Sequence, residues 1–167
     1  METVDLFCKS GAQAVKIEGA GDALKDIEYI IRSGVPVMGH LGMTPQSVHQ
    51  LGGHRLQGKG QKTATQLIEN AKMLEQAGVF SIVLEMVPSS LGKIITKAIS
   101  VPTIGIGAGV HTSGQILVWH DLLGMNPSFK PKFLRTYLDA HYKILEALNG
   151  YCDDVKNKNF PSKQESY

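Results

Sequence analysis

Val15-Lys16-Ile17-Glu18-Gly19 is a short, mostly apolar run that carries two opposite charges. Side chains alternate along a strand, so Lys16 and Glu18 share one face and the aliphatic residues share the other. Charges buried in such a strand are costly unless they pair, bind a ligand or hold a metal. A second apolar run, residues 81–87, carries Glu85 near its end. Ionisable residues near the ends of hydrophobic strands indicate a barrel with its chemistry at one rim.

Predicted strands and helices alternate along the chain. The strands are rich in Val and Ile, as buried parallel strands are. They are Ala14–Glu18, Val35–Leu41, Ser81–Val87, Thr103–Gly107 and Ile116–Val118. Helices are predicted to begin near Asp22, Thr63, Pro88 and Pro131, and the last to end at Asn149-Gly150. This alternation predicts βα units and a parallel sheet.

The two longest predicted helices carry apolar stripes at helical spacing. The stripe of the helix after Thr63 includes Leu67, Ala71 and Leu74. The stripe of the helix after Pro131 includes Leu148. Such stripes predict a helix face that packs on a core.

The number of strands leaves two folds open. A (β/α)₈ barrel needs eight strands and typically about 250 residues. With 167 residues and five predicted strands, the chain fits a smaller open sheet or the later part of a barrel. Residues 1–150 are expected to form the barrel domain and residues 151–167 a polar tail. Segment 42–62 follows a strand and has no clear periodicity, which is typical of a lid over a ligand site.

Composition and motifs exclude several classes of protein. A formal net charge of +2 is too small to predict binding to nucleic acid. No apolar run is long enough to span a bilayer, and the start lacks a secretory signal. Cys8 and Cys152 have no metal-site spacing, which predicts two free thiols. The glycines of 105–109 miss the dinucleotide fingerprint, because Val110 stands where its last glycine would be.

Four side chains are candidates for chemistry. Lys16 and Glu18 fit an ordinary ion pair at a strand end. They also fit a site in which Lys16 faces a carboxylate or oxyanion and Glu18 helps hold Mg²⁺. Glu85, in apolar surroundings, fits a general acid or base, or a structural carboxylate bonded to backbone amides. His40 fits either a catalyst or a structural hydrogen-bonding group.

These segments follow one another in a specific order. They are Val15-Lys16-Ile17-Glu18-Gly19, Gly39-His40-Leu41-Gly42-Met43-Thr44-Pro45-Gln46-Ser47, Gly52-Gly53, Gln57-Gly58-Lys59-Gly60, Leu84-Glu85-Met86-Val87-Pro88, Ile104-Gly105-Ile106-Gly107-Ala108-Gly109 and His120-Asp121-Leu122-Leu123-Gly124. The ordered set resembles the ketopantoate hydroxymethyltransferase family over residues 11–150, and Gly39–Ser47 is its strongest part. One departure is His54, where an aromatic residue such as Tyr is usual.

The resemblance implies a fold and an activity. The fold is a TIM (β/α)₈ barrel of the phosphoenolpyruvate/pyruvate-binding type, with about the last five βα units in this chain. The activity is transfer of a hydroxymethyl group from 5,10-methylenetetrahydrofolate to 3-methyl-2-oxobutanoate in pantothenate biosynthesis, assisted by Mg²⁺. By motif, Glu85 matches the proton acceptor and Glu18 a metal-site residue. Lys16 matches the lysine that contacts the oxoacid, and His40 is assigned to substrate binding.

The resemblance also sets expectations about context. Family members carry an earlier portion with three strands and two further metal-binding aspartates, so this chain would keep one of three metal carboxylates. A homo-oligomer is expected, a decamer in the family, without nucleic-acid or membrane partners. The expected location is the cytoplasm, or an organelle matrix if a transit segment precedes the chain. Two alternatives stay open: a non-catalytic fragment that needs a partner chain, and a related carbon–carbon lyase.

Overall fold

The computed structural model of the chain describes residues 2–167. These residues belong to two compact units, one ending at Ile116 and the other spanning Leu117–Tyr167. The helices of the first unit are α1 (Glu2–Ser10), α2 (Ala23–Arg32), α3 (Gln61–Ala77) and α4 (Ser89–Ala98), with a 3₁₀ turn at Pro45–Ser47. Its strands are β1 (Val15–Glu18), β2 (Val37–Gly42), β3 (Ser81–Glu85), β4 (Thr103–Ile106) and β5 (Gly114–Gln115).

The five strands form one parallel sheet in the order β1-β2-β3-β4-β5. Each of the first three connections between strands contains a helix, which is the βα alternation that the sequence predicts. The prediction of an α/β fold with a parallel sheet is therefore confirmed. The first four strands lie inside their predicted bounds or within one residue of them.

The fifth strand was predicted at the wrong place. Residues Ile116–Val118 are not a strand, and β5 is instead Gly114–Gln115, which pairs with Ile104 and Gly105. The amide of Ile116 makes the last bond of this ladder, to the carbonyl of Gly105. The register of β4 decides where pairing occurs, and β-branched residues alone do not reveal that register.

The core of the first unit lies on one face of the sheet, beneath α2, α3 and α4. Along each strand, residues that point to this face alternate with residues that point away. Along each helix, the residues that face the sheet recur every three or four positions. The most deeply buried members, each at most 2% exposed, are Ile27, Val37, Leu41, Ala71, Leu74, Val79, Ile82, Leu84, Val87, Ile95 and Ala108. The opposite face of the sheet is left for the polar residues described below.

Two helix starts in this unit refine the predictions. Pro88 precedes α4 as predicted. Helix α3, however, begins at Gln61 after the extended residue Gly60 rather than at Thr63. Thr63 lies in the first turn, where its hydroxyl donates to the carbonyl of Gly60 at 2.9 Å. A Thr near a helix start can therefore bond backwards inside the turn instead of capping it.

The second unit contains α5 (Trp119–Leu122), α6 (Ala140–Lys156) and a 3₁₀ turn at Lys163–Glu165. The predicted helix start at Pro131 is wrong, because the amides of Tyr137 and Ala140 bond to carbonyls at the end of α5. Those amides are then not free for helical bonds, and α6 begins only at Ala140. The predicted end at Asn149-Gly150 is also wrong, since α6 continues to Lys156. A glycine inside a helix costs only about 1 kcal/mol, so it need not end one.

The expected division at residue 150 consequently falls inside α6. Cys8 and Cys152 are both free, as predicted, and both are exposed. Within residues 2–167, the combination of length and hydropathy that a bilayer crossing demands is met by none of the helices.

Candidate active site

Glu18, His40 and Glu85 come together on the face of the sheet that the helices leave open. Glu18 pairs in register with His40, and Gly42 pairs with Glu85. Since residues two apart in a strand share a face, all three side chains point away from the helical core. They also lie at the carboxyl ends of their strands, where parallel sheets bind ligands.

His40 lies between the two carboxylates. Its Nε2 atom is 3.1 Å from Oε2 of Glu85, and its Nδ1 atom is 3.7 Å from Oε1 of Glu18. The His40 side chain is 1% exposed, whereas Glu18 is 13% and Glu85 15% exposed. One buried imidazole therefore separates two carboxylates that still reach solvent.

The environment of Glu85 argues against a purely structural carboxylate. Within residues 2–167, no backbone amide donates a hydrogen bond to its side chain, so the alternative that the sequence left open is not observed. The His40 ring lies beside it, with Nε2 3.1 Å from Oε2. The carboxylate is also partly open to solvent, as proton transfer to a ligand requires.

Lys16 projects from the same face of β1 as Glu18 but is exposed, so the expectation of two buried charges is wrong for Lys16. The ion pair between Lys16 and Glu18 is also not seen in the described part of the chain. Lys16 is exposed because β1 lies at an edge of the sheet, where no described strand covers the lysine.

A cavity of about 350 Å³ lies along this edge. Lys16, Glu18 and Gln46 line it from the sheet and its loop, and Asp26 and Tyr29 line it from α2. Glu85 and His40 do not line this cavity. The structure therefore brings Lys16 and Glu18 to a common opening, and connects Glu85 to them through the His40 ring.

Gln46 is a site residue that the sequence did not single out. Its backbone amide donates to Oε2 of Glu18 at 3.0 Å, from the 3₁₀ turn that follows β2. This bond leaves the other oxygen of Glu18 facing His40. The available signal was position, because Gln46 belongs to the Gly39–Ser47 motif directly after a strand end.

The loop after β2 is fastened to the end of β3 next to Glu85. The amide of Met43 donates to the carbonyl of Glu85, and the amide of Gln57 donates to that of Met86, both at 2.8 Å. Met86 has φ 48°, a left-handed conformation that is strained for a side chain of this size. Gly42 has φ 99°, and a Cβ there would collide with the Glu85 carbonyl. The segment predicted to form a lid thus lies against the end of β3.

A larger cavity, of about 670 Å³, lies in the second unit. Phe129, Leu134 and Tyr142 are among its lining residues, and it contains none of the predicted site residues. Size alone would favour this cavity, but it lacks a grouping of ionisable side chains like the one around His40. We therefore place the candidate active site at the carboxyl end of the sheet.

Comparison with known families assigns the chain to one of them. The family model described as ketopantoate hydroxymethyltransferase matches residues 1–163. The chain belongs to the ketopantoate hydroxymethyltransferase family. The resemblance seen in the ordered motifs is thereby confirmed, and the match extends past residue 150 into the segment expected to be a tail.

Relatives within the ketopantoate hydroxymethyltransferase family are similar along the whole chain. A 3-methyl-2-oxobutanoate hydroxymethyltransferase from Bdellovibrio bacteriovorus is 55% identical over 167 residues, covering 100% of this chain and 64% of the relative. The enzyme of the same name from Legionella pneumophila strain Lens is 50% identical over 168 residues, again covering 100% and 64%. The chain thus spans less than two thirds of the length of these relatives.

Among solved structures, the YdjI aldolase from Escherichia coli K12 has a TM-score of 0.41 and 16% identity. The likeness covers 73% of this chain and 50% of the aldolase. A likeness at this level says nothing further about the fold or the chemistry of the chain.

The metal that the resemblance implies fits this chain only in part. A carboxylate such as Glu18 is the oxygen donor that Mg²⁺ prefers, but Mg²⁺ needs near-octahedral coordination. In the part of the chain that the structure describes, no three His, Cys, Asp or Glu side chains are grouped to share a metal ion. Glu18 and Glu85 do not converge, since they lie at opposite nitrogens of His40. The described residues therefore do not form a complete magnesium site.

Proposed function

We propose that this chain carries the proton-transfer part of a ketopantoate hydroxymethyltransferase. The reaction is transfer of a hydroxymethyl group from 5,10-methylenetetrahydrofolate to 3-methyl-2-oxobutanoate, which yields 2-dehydropantoate for pantothenate biosynthesis. The observation that supports it is the grouping of Glu85, His40 and Glu18 at the carboxyl end of the sheet in a chain of this family.

The proposed chemistry begins with a proton. Glu85 accepts the proton from C3 of the oxoacid, and the electrons of that C–H bond form an enolate. C3 then forms a bond to the methylene carbon as one of the two bonds from that carbon to the folate nitrogens breaks. The oxygen of a water molecule replaces the second nitrogen, which supplies the hydroxyl group. The two nitrogens take up the C3 proton from Glu85 and one proton from the water, and tetrahydrofolate leaves. A carboxylate that is 15% exposed can reach such a ligand while His40 Nε2 lies 3.1 Å from its Oε2 atom.

Lys16 is proposed to balance the negative charge of the oxoacid. It is a cation on the same face of β1 as Glu18, both line the cavity at this edge, and Lys16 forms no ion pair within residues 2–167. A positive charge beside the developing enolate stabilises the transition state more than the ground state. The substrate-binding role assigned to His40 stays a prediction.

The wider context is also proposed rather than observed. We propose that the five strands are part of a (β/α)₈ barrel of the phosphoenolpyruvate/pyruvate-binding type, that the protein is a cytoplasmic homo-oligomer, and that Glu18 supplies one ligand to Mg²⁺. The free edge of β1 supports the barrel, because an open strand edge in a parallel sheet invites pairing. Bound Mg²⁺ would polarise the ketone of the oxoacid.

The test is exchange of the C3 hydrogen of 3-methyl-2-oxobutanoate with deuterated water, followed by proton NMR. It is run with the purified chain, alone and mixed with the separately expressed remainder of the Bdellovibrio bacteriovorus relative. Glu85→Gln is expected to lower exchange by about a hundredfold or more. The matched control is Glu69→Gln, at an exposed position of α3, which should leave exchange unchanged.

Two outcomes would contradict this function. Exchange at the normal rate in Glu85→Gln would remove Glu85 as the proton acceptor. Trapping of a pyruvate adduct on Lys16 by borohydride would instead favour the carbon–carbon lyase, since that chemistry needs a Schiff base. Formation of 2-dehydropantoate only after mixing would support both the activity and the barrel.

A further inference from the structure

The His40 ring is an unusual buried group. It is 1% exposed, and neither ring nitrogen has a hydrogen-bond partner within residues 2–167. A buried polar atom without a partner costs free energy, typically about 1–3 kcal/mol. Two nitrogens without partners in one buried ring therefore need an explanation.

Two carboxylates lie close enough to be the missing partners of these nitrogens. The Nε2 atom and Oε2 of Glu85 are at hydrogen-bond distance, 3.1 Å, but the ring N–H is not directed at the oxygen. On the other side, Nδ1 is 3.7 Å from Oε1 of Glu18. The distance between Nε2 and Oε2 of Glu85 already suits a hydrogen bond, and what is unmet is the direction of the ring N–H.

The two carboxylates are not held equally. Glu18 accepts a backbone hydrogen bond from Gln46, so its position is set without His40. Glu85 has no such bond to its side chain in the described residues, and His40 is its nearest polar partner. Loss of the ring would therefore release Glu85 more than Glu18.

We propose that His40 is a positioning residue whose Nε2–H holds the carboxylate of Glu85 in the orientation for proton transfer. A ring this deeply buried has almost no surface to offer a ligand, so it acts on the substrate through Glu85. The contact between His40 and Glu85 stands by itself, whereas its consequence for turnover rests on the proposed function.

The contact is tested first without activity. The chain is labelled with ¹⁵N-histidine, and the ring nitrogen resonances of His40 are compared in the original sequence, Glu85→Gln, Glu18→Gln and the control Glu69→Gln. We expect Glu85→Gln to move the Nε2 resonance more than Nδ1, and Glu69→Gln to move neither. An unchanged Nε2 resonance in Glu85→Gln would overturn the proposal.

Two amide variants then separate the two nitrogens. The side-chain amide nitrogen of Gln reaches the position of Nε2, and that of Asn the position of Nδ1. His40→Gln is expected to keep kcat for C3 exchange within a few-fold. His40→Asn is expected to lower kcat by about ten- to hundredfold, the value of a hydrogen bond to a charged group, with KM nearly unchanged. The matched control is His111→Gln, at an exposed turn, which should change neither constant.

The outcomes separate this proposal from the proposed function. If both amide variants lose kcat equally while their urea midpoints match, or if Asn is the better rescue, the positioning role is wrong. If no preparation exchanges the oxoacid but Glu85→Gln moves Nε2, the function fails and the contact stands. If His40→Gln unfolds the chain, the ¹⁵N measurement on the glutamate variants still decides.

Discussion

Leu74 in α3 and Leu148 in α6 are the same side chain on two helices of 17 residues each. Leu74 is 0% exposed, whereas Leu148 is 57% exposed. Both belong to apolar stripes at helical spacing, so the sequence alone treats them alike. An apolar stripe therefore predicts a helix with an apolar face, but it does not predict what covers that face.

The contrast holds for the two helices as a whole. The stripe of α3 packs on the sheet, with Ala71 and Leu74 fully buried. Only Ala140, at the start of α6, is buried in that helix. The large apolar residues of α6 that stay exposed are Tyr142, Ile144, Leu145, Leu148, Tyr151 and Val155. Within the described residues, the apolar face of α3 is thus covered by the core of the first unit, whereas the apolar face of α6 stays mostly exposed.

The same substitution in both helices tests this difference in burial most directly. Leu74→Ala is expected to lower the free energy of unfolding by about 2–5 kcal/mol, because it leaves a cavity in a packed core. Leu148→Ala should change it by less than about 0.5 kcal/mol. Urea unfolding followed by circular dichroism measures both. An equal loss in Leu148→Ala would mean that the face of α6 is covered in solution.

One glycine inside α4 and one inside α6 test the same difference in packing. A Cβ on Gly92 in α4 would lie 2.5 Å from the carbonyl oxygen of Ala108, so Gly92→Ala should cost about 1–3 kcal/mol. A Cβ on Gly150 in α6 would meet nothing within 4 Å. Gly150→Ala should therefore stabilise the protein by up to about 1 kcal/mol. Thermal unfolding checks both, and a stabilising Gly92→Ala would show that α4 packs less closely than described.

A smaller effect is expected at Glu75, at the end of α3. One of its carboxylate oxygens accepts the amides of Ser100 and Val101, which form the turn before β4. Glu75→Ala should cost about 0.5–1.5 kcal/mol, because two amides in a partly exposed segment lose their acceptor and can partly bond to water instead. Glu69→Ala removes only a surface pair with Lys72 and should cost less than about 0.5 kcal/mol. Equal chemical-denaturation midpoints for the two variants would contradict this role of Glu75.

The smallest effect concerns the end of the second unit. The backbone amide of Ser162, and secondly its hydroxyl, hold the pKa of Glu165 below its ordinary value. The 3₁₀ turn at Lys163–Glu165 therefore gains order above the unfolded pKa and loses it as pH falls through the lower, folded pKa. Ser162→Ala should raise the pKa of Glu165 part of the way back, which a carboxyl ¹³C NMR titration would detect. An unchanged titration would show that the hydroxyl contributes nothing.

The sequence predicted much of the first unit and less of the second. Runs of Val and Ile located β1 to β4, because such residues pack well in buried parallel strands. They misplaced β5, which depends on the register of β4. In the second unit, Pro131 predicts a helix start, although the amides of Tyr137 and Ala140 bond to the end of α5 instead. Local propensity does not reveal bonds to a distant carbonyl.

For the candidate site, the sequence identified Lys16, Glu18, His40 and Glu85 by strand position and motif. It did not indicate that His40 lies between two carboxylates or that Lys16 is exposed. It also missed Gln46, because a backbone amide contributes the same donor whatever the side chain. Each of these facts joins residues from different strands or loops.

What the sequence determined by itself is the family, the alternation of strands and helices, and which side chains are ionisable at strand ends. These follow from local patterns, since alternation along a strand sorts residues onto two faces without reference to the rest of the chain. Only the tertiary structure decided that Glu18 and Glu85 share one imidazole, because the parallel register of three strands sets which side chains are neighbours. The tertiary structure also decided that the apolar face of α3 is buried and that of α6 is mostly exposed.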